Sequence, residues 1–257
     1  MEIRVNWENI KQQLIDFLQD EVKKTGLEKV TVGISGGLDS AVVAILCKEA
    51  FGDNLNGVLM PSQYSSDSSI KDAQELCEKF NIQYEIVEIA PMVEGYYKNI
   101  PDANSLRIGN FSARMRMSVL YDISARESSL VVGTSNKSEL LLGYGTIFGD
   151  IACAINPIGE MYKSDEYDFA KYLGVTDEIL NKKPSADLWE GQSDEEDMGY
   201  TYKDMDRVLK QLIDQNIPKE EIYKNEDKVM VDSIIKRMNA NSFKGKLPTI
   251  ATINFNN

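Results

Sequence analysis

The chain has no histidine. That absence removes every catalytic triad built on imidazole and every Cys/His zinc site. Its three cysteines, Cys47, Cys77 and Cys153, are too widely separated for a paired redox motif, and reduced thiols are expected. Basic residues are scarce too: 28 Lys and Arg stand against 41 Asp and Glu, a net charge of −13. That balance argues against a nucleic-acid binder relying on a broad basic footprint. It leaves room for a local phosphate site, because one loop and a bound metal override the average field. Magnesium is the ion expected of so acidic a protein if it handles phosphates. No stretch approaches the roughly 20 apolar residues that cross a bilayer. The start, Met1 to Trp7, has no basic region followed by an apolar one. A cytoplasmic protein with neither membrane nor nucleic-acid partners is expected.

What the chain does contain alternates. Ile10, Leu14, Phe17, Leu18 and Val22 predict a helix over 7–22, with Asn6 as its cap and Gly26 as its stop. Val30–Ile34, Leu55–Met60, Tyr84–Val87 and Leu130–Val132 read as strands. Helical runs lie between them: one begins at Ala41, one spans Ser69–Phe80, and one runs from Phe111 to about Ala125 after a loop holding Pro91 and Pro101. Strands separated by helices of this length predict an α/β fold, a mostly parallel, doubly wound, Rossmann-like sheet with helices on both faces. Ligands of such sheets gather at the carboxyl ends of the strands. After Pro157 the strand signal fades. Helices are expected at Asp165–Leu173, Tyr202–Asp214, Pro218–Tyr223 and Asp227–Asn239. Residues 1–257 thus read as one domain with a helical C-terminal extension from about residue 200. Five acids lie between Glu190 and Asp197, and that block reads either as a solvated loop or as a mobile lid over nucleotide.

The stretch TVGISGGLDS, Thr31–Ser40, joins the first strand to an apolar helix. Gly36-Gly37 lets the backbone approach a ligand closely, and the helix behind directs free N–H groups to the same point, favouring an anion. Ser35 and Ser40 add hydroxyls. A carboxylate at Asp39 repels phosphate unless a cation lies between them, and magnesium with oxygen ligands resolves the conflict. The plainer alternative is an ordinary Gly-rich turn in which Asp39 and Ser40 cap the helix. The stretch is neither a GxxxxGK[ST] loop nor a GxGxxG fingerprint. It resembles the signature loop of ATP pyrophosphatases, which cleave ATP between its α and β phosphates. A second constellation, GTSNKSELLLGYGTIFGD at 133–150, is a strand end, a polar turn and a helix start. By itself Glu139 there reads as a surface carboxylate.

The second constellation, followed by NPIGEMYKSDEYDFAKYLG at 156–174, resembles the ammonia-dependent NAD synthetases. GNFSARMRMSVLY at 109–121, KPSADLW at 183–189, and Glu195–Gly199 with Tyr202 resemble the same family in order and spacing. The resemblance covers roughly residues 30–250 and implies a sheet of the adenine nucleotide alpha-hydrolase type. It implies that Gly33, Ile34, Ser35, Gly36, Gly37, Leu38, Asp39 and Ser40, with Thr134, Lys163 and Ser185, hold the co-substrate ATP. Asp39 and Glu139 would bind magnesium; Arg114, Asp150 and Lys244 would face deamido-NAD; and Ser35, Asp39 and Lys163 would serve the chemistry. Arg116, two residues from Arg114 and so on another side of the helix, is expected to make a structural pair.

The implied reaction activates the nicotinic acid carboxylate as an acyl adenylate, then aminates it with ammonia. The implied assembly is a homodimer sharing the dinucleotide site. Alternatives are another ATP pyrophosphatase-type amidase or thiolase, or a non-catalytic nucleotide-binding module. Ile147, Ala154, Phe243 and Gly245 depart from the commoner family pattern, which bears on the dinucleotide rim.

Overall fold

The computed structural model describes residues 5–189 and 191–254. Four strands form its sheet: β1 (Lys29–Gly33), β2 (Leu55–Leu59), β3 (Tyr84–Ile86) and β4 (Ser129–Val132). They lie in the order β3-β2-β1-β4, all parallel, with Val30 facing Leu55 on one side and Leu130 on the other. Ile155 bridges to Val132 and lengthens the edge beyond β4. The chain winds outward from β1 in two directions, so the switch in strand order falls between β1 and β4. The turns after both strands open there, at the carboxyl edge.

Residue alternation along the strands divides the core. Val30, Val32, Ile34, Leu55, Leu59 and Val132 face one cluster, built with α1 (Trp7–Lys24), α2 (Leu38–Phe51), α3 (Asp67–Lys79) and α7 (Lys163–Leu173). Val58 and Met60 face the other cluster, with α4 (Ala90–Tyr97) and α5 (Ser105–Glu127). Helix α2 is apolar on several sides because it lies among the sheet, α1 and α7, and every residue from Ser40 to Cys47 is buried. Each fully buried side chain such as Ile45 or Leu46 stabilises the fold by roughly 1.5–3 kcal/mol. Helix α1 is amphipathic and starts where predicted, with Asn6 accepting from the N–H of Asn9.

The C-terminal helices α10 (Tyr202–Leu209), α11 (Lys219–Ile222) and α12 (Lys228–Asn241) bury Met205, Val208, Leu209, Ile222 and Val231 against one another. The same cluster takes in Leu142 of α6 (Lys137–Leu142) and Tyr162 just before α7, so the extension rests on the two helix starts that follow the sheet. Short α8 (Asp177–Leu180) and a π-helical turn at Lys210–Asp214 complete the connections. Among the described residues no helix is long and apolar enough to cross a membrane.

Three expectations are corrected. The loop around Pro91 is helix α4, because proline is tolerated in the first turn, where no backbone N–H is required. Helix α5 begins well before Phe111, since Asn104 caps it by accepting from the N–H of Arg107. The acidic block is a helix rather than a loop: Asp194–Met198 form helix α9, with Asp194 buried and Glu196 and Asp197 exposed. Glu190 lies outside the described residues.

Candidate active site

A cavity of about 550 Å³ opens at the carboxyl edge of the sheet, over the turns that follow β1 and β4. The turn after β1 is knitted internally. The Ser35 N–H donates to Ser40 Oγ at 3.1 Å, Ser40 Oγ–H donates to the Gly37 carbonyl at 3.0 Å, and the Gly37 N–H donates to Ser35 Oγ at 3.2 Å. The two glycines differ in role. Gly36 has φ +79°, and a Cβ there would come within 2.1 Å of the Ser69 carbonyl oxygen, so this glycine admits the start of α3. Gly37 has ordinary φ and meets only Ser35 Oγ, leaving it open towards the cavity. No side chain caps α2, so its first N–H groups point at the site with the positive end of the helix dipole.

Beneath this turn lies a cluster of charges. Asp39 accepts from Asn136 Nδ2 at 2.7 Å and from Lys163 Nζ through its other oxygen. Lys163, 4% exposed in its side chain, also lies 3.3 Å from Glu166, which is wholly buried. Beyond that ion-pair contact, neither oxygen of Glu166 meets a well-aligned hydrogen-bond donor among the described residues. Removal from water works against the charged form of Asp39, but the Lys163 ammonium beside it prevails and holds its pKa below the usual range. Burial likewise works against Lys163, and the carboxylates of Asp39, Glu166 and Glu139 together raise its pKa well above normal. Glu139 is pushed well up by desolvation and then by the Asp39 charge, and Glu166 by the same two causes. Three carboxyl groups share one ammonium, and the shortage of positive charge favours the protonated forms of Glu139 and Glu166.

Asn136 organises this cluster, and the sequence reading missed it. Its side-chain oxygen accepts from the Glu139 N–H at 3.0 Å, while Glu139 Oε2 accepts from the Asn136 N–H at 3.2 Å, a capping box at the start of α6. The signal was present as N-x-x-E before an apolar run. One asparagine thus joins Asp39, in the first turn of α2, to Glu139, in the first turn of α6.

The remaining predicted residues are distributed as follows. Gly33, Ile34, Leu38, Thr134 and Ser185 line the cavity, as do Asp150 and Lys244. Asp150 accepts from the Thr146 N–H at 2.8 Å, and Lys244 donates to the Gly143 and Gly145 carbonyls at 2.8 and 3.0 Å. Arg114 is not brought to this wall. It reaches the Asn110 carbonyl at 3.4 Å, on the helix side shared with the exposed Ser118, Tyr121 and Ala125.

Arg116 lines the cavity instead, contrary to its expected structural pairing: no carboxylate among the described residues lies within 4 Å of it. It donates to the Met60 carbonyl at 3.1 Å and to Ser65 Oγ at 3.4 Å, and burial lowers its pKa against the pull of Asp187 and Asp150. None of Ile147, Ala154, Phe243 and Gly245 lines this cavity.

The acidic segment forms one wall. Asp194 accepts from Tyr144 at 3.0 Å, from Tyr202 at 3.3 Å and from the Ala186 N–H at 3.1 Å, tethering 184–189 beside the site. Lys182, also missed, ties that strap to α3 by donating to Ser69 Oγ at 2.8 Å and Asp72 at 3.1 Å, and reaches the signature turn at the Gly36 carbonyl, 3.4 Å away.

A parallel doubly wound sheet whose SGGxDS turn meets an uncapped helix, with an Asp–Lys pair beneath it, defines an enzyme of the ATP pyrophosphatase class. Residues 10–248 match the family model described as NAD synthase, and the chain belongs to that family of carbon–nitrogen ligases. It is 51% identical over 242 residues to the ammonia-dependent NAD+ synthetase of Wolinella succinogenes, covering 94% of each chain. The structure of the ammonia-dependent NAD synthetase of Campylobacter jejuni in complex with nitrate superposes with a TM-score of 0.83 at 42% identity, covering 96% of this chain and 100% of that one. The NMN synthetase of Francisella tularensis superposes with a TM-score of 0.87 at 31% identity, covering 97% and 100%.

Proposed function

We propose that this chain aminates the nicotinic acid carboxylate of deamido-NAD with ammonia, consuming ATP and releasing NAD, AMP and pyrophosphate through an acyl adenylate. The observation that carries this reading is the Asp39–Asn136–Glu139–Lys163 cluster beneath the SGGLDS turn, in a chain of the NAD synthase family.

The absence of histidine is no obstacle. A carboxylate attacking the α phosphate is already ionised near pH 7 and needs no general base. What the step needs is orientation and stabilisation of the charge that develops on departing pyrophosphate. The N–H groups at the start of α2 and the hydroxyls of Ser35 and Ser40 face that charge, and Lys163 supplies a buried cation. Asp150 and Lys244 lie along the same cavity for the nicotinic acid end, and Thr134 and Ser185 for ATP.

The residues fit magnesium. Asp39 and Glu139 offer hard oxygen ligands in a cluster short of positive charge, and this ion binds through one or two carboxylates plus substrate phosphates. When bound, magnesium neutralises phosphate charge that Asp39 would otherwise repel. Free ammonia is the nitrogen donor in this reading, the assembly is a homodimer, and the compartment is the cytoplasm. Arg114, off the wall of the single-chain cavity, fits a dinucleotide site shared between two copies.

The test is a coupled assay of AMP and pyrophosphate release over candidate acids, with ammonium or glutamine as donor. Stoichiometric release with deamido-NAD, ATP, magnesium and ammonium together is expected. Turnover of xanthosine monophosphate or the deamido mononucleotide, with none of deamido-NAD, would overturn the substrate assignment.

A further inference from the structure

The C-terminal extension holds a buried carboxylate to which the chemistry above gives no task. Asp206 sits on α10, in the C-terminal extension, and is 1% exposed. No basic side chain lies within 4 Å of it among the described residues. Both of its oxygens are nevertheless engaged. Oδ2 accepts from the Ser164 N–H at 2.8 Å, and Oδ1 accepts from Ser138 Oγ at 2.5 Å. Ser138 Oγ in turn accepts from the Lys163 N–H at 3.0 Å. Two N–H groups of the first turn of α7 are therefore satisfied by groups from elsewhere in the chain, and its own flanking residue, Tyr162, provides no side-chain cap.

The position of this junction matters more than the cap. Lys163 is the first residue of α7, and Ser138 precedes Glu139 in the first turn of α6. A single carboxylate thus fixes the backbone from which Lys163 extends and, through one hydroxyl, the turn that presents Glu139. An ordinary helix cap would use a neighbouring side chain. A capping group delivered from more than 40 residues along the chain makes the lysine's placement depend on how the extension docks.

We propose that Asp206 is a positioning residue for the reaction: through Ser164 and Ser138 it sets Lys163, and with it the charge offered to departing pyrophosphate, so the helical extension is part of the catalytic machinery. The inference rests on the role given above to Lys163. Misplacement of a reacting group by about 1 Å costs around a hundredfold in rate, so the effect belongs in kcat. ATP held by the signature turn should bind nearly as before.

The experiment compares Asp206→Asn, Ser138→Ala, Lys163→Ala and the double variant Lys163→Ala/Asp206→Asn. Arg207→Ala serves as control, because Arg207 is the next residue on α10 but points away to Glu226. For Asp206→Asn we expect kcat to fall about 10- to 100-fold with KM for ATP little changed. Ser138→Ala should fall less, and Arg207→Ala should keep its kcat. The Asp206→Asn loss should vanish in the Lys163→Ala background, as it must if one residue acts through the other. Persistence of the loss there, or equal kcat losses in Asp206→Asn and Arg207→Ala at equal folded fraction, would overturn the proposal. Wild-type kcat in Lys163→Ala would overturn it too, and would place the fault in the role of Lys163. Should Asp206→Asn fail to fold, Ser138→Ala alone and in the Lys163→Ala background carries the same comparison.

Discussion

Arginines separated by two residues on one helix serve different surfaces, and the charge environment of each says which. Arg116 is held over the cavity by a carbonyl and a hydroxyl, neither of which neutralises it. A guanidinium in that position, with no carboxylate among the described residues within 4 Å in a chain of net charge −13, is available where an anionic substrate arrives. A charge-assisted hydrogen bond contributes roughly 1.5–3 kcal/mol, so Arg116→Ala should weaken ATP binding about tenfold to a hundredfold. Adenosine binding should stay the same. Calorimetric titration of both ligands checks this, and equal weakening of the two would reduce Arg116 to a strut for the loop after β2. Lysine should rescue poorly, because it cannot reproduce the forked contact with Met60 and Ser65.

Helices report a different balance, between local pattern and distant partners. The extension is held partly by a two-pronged pair: Arg207 Nε and Nη2 donate to the two oxygens of Glu226 at 2.7 and 2.8 Å. Hydrogen bonding to Arg207 is the first cause that lowers the Glu226 pKa below its ordinary value. A depressed carboxylate contributes stability that is present above its unfolded pKa, roughly 4.3, and lost as pH falls through the folded value. Arg207 is half exposed, so screening limits the pair to about 1 kcal/mol. Arg207→Ala should therefore lower the melting temperature by about 2–4 °C near neutrality, and by less as pH drops below about 4. Melting curves at several pH values decide it; a deficit unchanged down to the acid limit would remove the pair from the account. Where local pattern prevailed, the elements were legible: β1, β2 and β4 are short segments dominated by valine and leucine, and α1 carries both its stripe and its Asn6 cap. Helix α9 was not legible, because its acids repel in sequence and are met by donors that the fold brings up, among them Tyr144, Tyr202 and the Ala186 N–H. Asp39 and Glu139 could be paired by resemblance, whereas the asparagine joining them required the fold. The preference for Arg114 over Arg116 reversed at the cavity wall because helical spacing says that two residues diverge without saying which one faces the sheet.

At the scale of the whole molecule, one chain supplies a nucleotide cavity but leaves part of α5 open. Arg114, Ser118, Tyr121 and Ala125 recur at helical spacing along one side, and the last three are exposed. Tyr96 of the neighbouring α4 is 54% exposed, and Leu106, on the cavity side at the start of α5, is 56% exposed. An open helix side that carries an arginine and an exposed tyrosine, with its other side lining the cavity, suits a symmetric contact with a second copy. Such a contact would bring each Arg114 towards its partner's site, which explains an arginine that a single chain leaves outside its own cavity. Light scattering at micromolar concentration should therefore give twice 28.9 kDa. Arg114→Ala should raise KM for deamido-NAD about tenfold, the loss of one charge-assisted contact, while KM for ATP stays put. Tyr121→Asp, which places a charge on the open face, should yield monomers with the same defect in deamido-NAD and an intact ATP site. A monomeric wild type that keeps its full activity on dilution would sink the shared site, and the dinucleotide would then have to be held by Asp150, Lys244 and Arg116 within one chain.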